Sequence, residues 1–157
     1  MRRILVTGAA TRTGGRLIQN LERTLDTTVF AVDDLDPVEA FSSPFERLNI
    51  DQLAFARFLL DVKPHTVVHL QTVDRSALLG ATRSHEESTV GAQALFGAIG
   101  RCTTVRHVVV KSDGAIYGAG PRSPSVVSID SKPRRSGGRY QLDLEQMEGF
   151  VREVADR

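Results

Sequence analysis

The chain has a single cysteine, Cys102, which rules out an internal disulfide and leaves no cysteine-based zinc site to expect. Its formal net charge is only +1, too little one-sided charge to argue for a nucleic-acid or membrane partner. The small basic cluster of Lys132, Arg134 and Arg135 beside Pro133 reads as a solvated loop. Long apolar runs are also missing. Behind Arg2 and Arg3 the stretch Ile4 to Val6 is interrupted by Thr7 and Gly8, too short for a secretion signal, and no segment has the length to span a bilayer. His65, His69, His85 and His107 show no metal-ligand spacing, so they are expected to be packed or solvated, and no metal is expected. There is no internal repeat or low-complexity tract. These absences together suit a reducing cytoplasm, and the arginine bias, 17 of 20 basic residues, is the kind found in GC-rich bacterial genomes.

What remains is ordinary globular composition, 41% apolar and 25% charged, in 157 residues, enough for one domain with a substantial core. We therefore expect residues 1–157 to form a single domain. Strand-like and helix-like patterns alternate along it. Ile4 to Val6 is an apolar strand ending in a glycine-rich turn, and Leu17, Leu21 and Leu25 then repeat at helical spacing. Val29 to Val32 gives a second strand, ending on Asp33 and Asp34. Leu48 and Ile50 suggest a third, followed by a helix capped by Asp51. Thr66 to Leu70 reads as a fourth strand, Ser84 and Glu87 as a capping box for a helix running toward Gly100, and Val108 to Val110 as a fifth strand. Ser112 to Gly138 is a long loop. A last helix carries Tyr140, Leu144, Met147, Val151 and Val154 on one stripe. Such alternation predicts an α/β fold with a doubly wound parallel sheet of the Rossmann type, strand order 3-2-1-4-5. The 157 residues stop before a sixth strand, which would leave Val108 to Val110 on an open edge; a homodimer or larger assembly, or further polypeptide completing the sheet, is therefore expected.

The chemistry sits first in the turn Thr7-Gly8-Ala9-Ala10-Thr11-Arg12-Thr13-Gly14-Gly15. Gly8 permits a sharp turn, and Gly14 permits close approach of a helix N-terminus to the strand and to a diphosphate, whose charge the free amides and helix dipole favour. Thr11 replaces a middle glycine and narrows that space, while its hydroxyl offers a contact in return. A glycine turn alone is a weak signal. Here it follows a strand, opens a helix and precedes Asp33, nineteen residues after Gly14. Asp33 would accept from the adenosine ribose hydroxyls and repel a 2′-phosphate, favouring NAD over NADP, with Arg12 close enough to the phosphates to complicate the choice.

At this point the sequence resembles the extended short-chain dehydrogenase/reductase family, the NAD-dependent epimerases and dehydratases that include UDP-glucose 4-epimerase. Val6-Thr7-Gly8-Ala9 through Gly14 is similar to the opening motif with its middle glycine replaced. Asn49-Ile50 stands where the family has Asp-Val or Asp-Ile beside adenine, His69-Leu70-Gln71-Thr72 where it has His-Leu-Ala-Ala, and Ser88 to Ala92 where an Asn-Val-x-Gly-Thr motif is usual. Ser112-Asp113-Gly114-Ala115-Ile116-Tyr117-Gly118 resembles Ser-Ser-x-x-Val-Tyr-Gly, the most specific match. The resemblance implies NAD as cofactor, a nucleotide or nucleotide sugar as partner, and a cofactor site that includes Asn49, Ile50, Leu70 and Gln71. Tyr117 either lines that site or is simply core.

The catalytic part departs from the pattern. The family's proton donor is a tyrosine followed four residues on by a lysine; Tyr140 is the candidate, and Leu144 stands in the lysine's place. The family's partner serine or threonine is Asp113 here, with Ser112 adjacent. An unperturbed tyrosine has a pKa of about 10, so only about one in a thousand is ionised at pH 7. Leu144 supplies no charge to close that gap, and a carboxylate beside the phenol widens it. The chain is similar to an atypical bacterial subgroup that keeps Lys111-Ser112 and Tyr117-Gly118 without the Tyr-Lys pair. Two readings follow. One is an oxidoreductase-type enzyme acting on a nucleotide sugar; the other is a binding or regulatory protein of the same fold that holds NAD or a nucleotide sugar without turning it over. The family grips its substrate largely with a C-terminal region that these 157 residues do not contain.

Overall fold

The computed structural model describes residues 1–71, 89–118, 120–121, 123–128, 130–133 and 138–155. Five strands form one parallel sheet: β1 (Arg2–Thr7), β2 (Thr27–Asp33), β3 (Phe45–Arg47), β4 (Thr66–His69) and β5 (His107–Val110), in the order β3-β2-β1-β4-β5. The helices are α1 (Arg12–Glu22), α2 (Leu53–Val62), α3 (Gly91–Ile99) and α4 (Arg139–Ala155), with a 3-10 turn over Gly114–Tyr117. This is the doubly wound arrangement expected from the alternation of patterns. Register is set by continuous apolar strands buried on both faces: Leu5 lies between Phe30 and Val67, and Val6 between Ala31 and Val68.

The sheet divides the core into two. On one face Leu5, Val32, Val67, Phe55, Leu59, Leu95 and Met147 pack with α2, α3 and α4; on the other Val6, Val29, Ala31 and Val68 pack against Ile18 of α1. The apolar spacing of α1 places Ile18 inside and Leu17 and Leu21 at the rim, and the helix ends at Glu22. Leu25, which the periodicity counted as helical, is 90% exposed beyond that end.

Three expectations need correction or fall outside the described residues. The third strand is Phe45–Arg47 and not the Leu48/Ile50 segment: Ala31 N–H donates to Pro44 O and Leu48 N–H to Asp33 O, which brackets the pairing to three residues. Two apolar residues two apart are too short a pattern to fix a strand, and Ile50 instead sends its side chain into the core against Gly91. The N-cap of α2 is Gln52, which makes no side-chain capping bond, so Asp51 does not cap it. The Ser84 capping box, His85 and Thr72 lie outside the described residues.

Candidate functional site

All five strands run the same way, so their C-terminal ends share one edge, and order reverses between β1 and β4, the crevice where open α/β sheets take ligands. The β1–α1 turn fills this crevice. Gly8 has φ +79°, and a Cβ there would stand 2.6 Å from the backbone N of Gln71 and 2.8 Å from the carbonyl carbon of Leu70. A Cβ on Gly14 would stand 2.2 Å from Gly8 O. Both positions therefore require glycine, because backbone meets backbone on each side.

Thr11 is the N-cap of α1. Its Oγ1 accepts from Gly14 N–H at 3.0 Å and donates to Gly8 O at 2.8 Å, so the hydroxyl closes the turn on itself, a stabilisation of about 1 kcal/mol for such a cap. A threonine one position before a helix is an N-cap signal, legible in the sequence beside its reading as a replaced glycine. Arg12 is largely exposed and pairs with Glu39 at 3.8 Å.

Asp33 ends β2 and is buried to 3% exposure. Its Oδ2 accepts from Ala10 N–H at 2.8 Å and its Oδ1 from Leu35 N–H at 3.2 Å. Burial raises its pKa to about 6, assisted by Asp34 and opposed by the two backbone donors. Each carboxylate oxygen keeps lone-pair capacity beyond its one backbone donor. Next to it Gln71 donates through Nε2 to Asp34 Oδ1 at 3.4 Å, while its Oε1 is buried without a hydrogen-bond partner among the described residues. An unpartnered buried carbonyl costs about 1–3 kcal/mol, so this acceptor is poised for a donor. Leu70 is buried against Gly8, Ile50 is core, and Asn49 is half-buried, its Oδ1 accepting from Asp51 N–H at 3.5 Å.

Of the two states expected for His69, packed or solvated, the structure has the first: it is 1% exposed, bonded through Nδ1 to Thr7 Oγ1 at 2.7 Å, its ring edge-on to Phe96. Burial pushes its pKa down to about 4, so it is neutral at physiological pH and ties β1 to β4 just below the site.

At the other end of the crevice Asp113 N-caps the 3-10 turn, Oδ1 accepting from Ala115 N–H at 2.8 Å, and its Oδ2 accepts from the Tyr140 hydroxyl at 3.0 Å. The two catalytic candidates on separate elements thus meet. Ser112 turns elsewhere, donating to Glu148 Oε1 of α4 at 2.7 Å. Glu148, which sequence reasoning missed, also holds Arg152 one turn on. Gln141 Nε2 donates to Ile116 O at 2.7 Å and fastens α4 to the 3-10 turn, while Tyr117 is half-buried in that turn. Leu144 is 5% exposed and packs in the core with Met147. No group of His, Cys, Asp and Glu side chains among the described residues has the arrangement to hold a metal ion, and no described helix is long and apolar enough to cross a membrane.

The sequence profile of the NAD dependent epimerase/dehydratase family matches residues 4–152, nearly the whole chain. The chain belongs to that family. An uncharacterized protein of Mycobacterium tuberculosis, Rv0501, is 32% identical over 98% of this chain and 43% of its own length, and a Mycobacterium bovis protein, Mb0513, matches equally well. Among solved structures, MoeE5 in complex with UDP-glucuronic acid and NAD is similar over 99% of this chain and 50% of that one, at 25% identity and a TM-score of 0.81. The UDP-Glc/GlcNAc 4-epimerase of Campylobacter jejuni shares the fold over the same 99% and 50%, at 17% identity and a TM-score of 0.84. The chain thus spans about half the length of the relatives it matches.

Proposed function

We propose that this chain is the NAD-holding half of a nucleotide-sugar oxidoreductase of the epimerase/dehydratase type. The observation that carries the reading is the buried Gln71 Oε1, without a hydrogen-bond partner among the described residues, at the strand-order reversal, where the Gln71 backbone lies against Gly8 and its Nε2 meets Asp34. NAD fits these residues. Its diphosphate has the backbone of the Gly8–Gly14 turn and the α1 dipole to lie against, its adenosine ribose has Asp33, and a further donor of the ligand has Gln71 Oε1. Asn49, Ile50 and Leu70 belong to the adenine side by family pattern, and Tyr117 to the far wall. Bound NAD supplies reversible hydride transfer; the chain's part is to orient it and to hold a proton at Tyr140. NAD is favoured over NADP because Asp33 and Asp34 stand where a 2′-phosphate would come. The half-open β5 edge, with Val109 53% exposed, favours a homodimer or further polypeptide on that side.

A second reading, binding without turnover, is favoured by a specific observation. The position of the family's lysine is the buried Leu144, and the Tyr140 hydroxyl donates to a carboxylate. Calorimetry of the chain with NAD, followed by nicotinamide absorbance with a panel of nucleotide sugars, separates the cases. Binding of NAD with sugar-dependent reduction that is lost in Tyr140→Phe supports an enzyme; binding with no reduction supports the second reading. No measurable NAD binding sinks the enzyme reading, and no measurable binding of NAD or of any nucleotide sugar sinks both.

A further inference from the structure

The loop after β2 folds back onto α1, and its contacts fix one charged pair. The Ala10 peptide is held from both sides: its N–H donates to Asp33 Oδ2 at 2.8 Å and its carbonyl accepts from Val38 N–H at 3.2 Å. Gln19 Nε2 of α1 donates to Ala40 O at 2.7 Å, so residues 38–40 are fastened at both ends to the turn and helix that open the site. Between those two bonds lies Glu39. A Cβ on Gly15 would stand 2.5 Å from the Cβ of Glu39, so the missing side chain at Gly15 is what lets Glu39 lie against the helix. Gly15 therefore serves the loop, a role distinct from the turn glycines Gly8 and Gly14.

Glu39 placed in this way meets Arg12, Oε1 to Nε at 3.8 Å. The carboxylate is only 35% exposed in its side chain while the guanidinium is 75% exposed, so the acid is the fixed partner and the arginine the adaptable one. A second arginine, Arg47 beside the end of β2, is occupied too: Nη1 donates to Asp36 at 3.3 Å and Nε to Asp34 O at 3.1 Å. Around the end of β2 two arginines are thus each engaged by an acid, Arg12 by Glu39 and Arg47 by Asp36.

We propose that Glu39 is a specificity-determining residue: by engaging Arg12 it withholds from the adenosine end of the site the cation that a 2′-phosphate needs, so the chain selects the dinucleotide lacking that phosphate. The proposal rests on the reading of this crevice as a dinucleotide site. Its logic is exclusion by an occupied cation, separate from direct repulsion by Asp33. An exposed pair is weak, so Glu39 modulates a preference that Asp33 dominates.

The test is calorimetric affinity for NAD and for NADP in the natural chain, in Glu39→Gln, in Glu39→Lys and in the double variant Glu39→Gln/Arg12→Ala, at low and high salt, with a thermal melt to verify folding. The natural chain is expected to prefer NAD. Glu39→Gln should narrow that preference roughly fivefold, chiefly by tightening NADP; Glu39→Lys should narrow it further; removing Arg12 from Glu39→Gln should cancel the gain. Added salt should shrink the difference, as expected for an exposed charge. A folded Glu39→Gln whose preference matches the natural chain's, or a gain that survives loss of Arg12, overturns the role of Glu39 and leaves the dinucleotide reading standing. A natural chain that binds neither nucleotide, or prefers NADP, overturns the reading itself and the proposal with it.

Discussion

The two ends of the crevice are built differently. At the β1–β2 end the backbone makes the site: Gly8, Gly14, Ala10 and Leu35 contribute main-chain groups, held by a buried carboxylate and a capping threonine. At the β5 end side chains on exposed elements make it, bonded in two separate pairs near the surface: Tyr140 to Asp113 and Ser112 to Glu148. The strands differ in the same sense, β1 running into full burial at its C-terminal end and β5 alternating between exposed and half-buried. A site made by backbone keeps its shape through side-chain replacement, whereas a site made by side chains changes its chemistry with each one. Thr11, where the resemblance puts a glycine, still closes the turn at the first end; Leu144, where it puts a lysine, is a buried apolar side chain at the second.

The comparison breaks most easily at Gly14. Gly14→Ala puts a Cβ against Gly8 O, where neither backbone can give way, and should cost about 3 kcal/mol or more. Gly97 of α3 has nothing within 4 Å of a Cβ, and Gly97→Ala should add about 0.5–1 kcal/mol through helix propensity. Denaturant melts of both variants check this, and an equal response would show that Gly14 is an ordinary helix glycine.

At the other end the sharpest question is whether Leu144 is site or core. Buried with Met147, it should behave as core, and Leu144→Ala should lose about 2.5 kcal/mol. A loss below about 0.5 kcal/mol in chemical denaturation would mean that the side chain faces an open site.

The smallest effect is a pH dependence at Asp33. With its pKa raised to about 6, the folded carboxyl is protonated at a pH where the unfolded one, near 3.8, is charged. Its contribution to folding is therefore greatest below about 4 and declines as pH rises toward 6. Ligand binding runs the other way, since the ionised form is the stronger acceptor for ribose hydroxyls. NAD affinity should fall roughly tenfold, about 1.4 kcal/mol, between pH 7.5 and pH 5, and the fall should flatten in Asp33→Asn. Titration calorimetry at the two pH values reads it, and a flat profile in the natural chain would remove Asp33 from the site.

These contrasts also account for what the sequence made legible. Continuous apolar strands and the turn glycines are local signals with one physical solution, so β1, β2, β4, β5 and their order could be read before the structure. The short β3 could not, because its pairing is fixed by Pro44 O and Asp33 O on either side and not by its own side chains. Asp33 was legible by its distance from the glycine turn, but its double backbone engagement was not. Tyr140 and Asp113 could be named from family pattern alone; their hydrogen bond, and the diversion of Ser112 to Glu148, depend on where α4 docks, which spacing does not encode.

The placement of β1 at the centre of the sheet has a consequence for how the chain assembles. β1 pairs β2 within one short crossover, Arg2 opposite Thr27, but it pairs β4 at Thr7 and His69, 62 residues apart. Loop closure over the longer span is entropically later, so β1, α1 and β2 can associate while β4 and β5 are still unformed. A ribosome delivers them in that order. The glycine turn, closed by Thr11 on Gly8 and Gly14, draws only on residues of the first half, while the Thr7–His69 bond joins that half to β4.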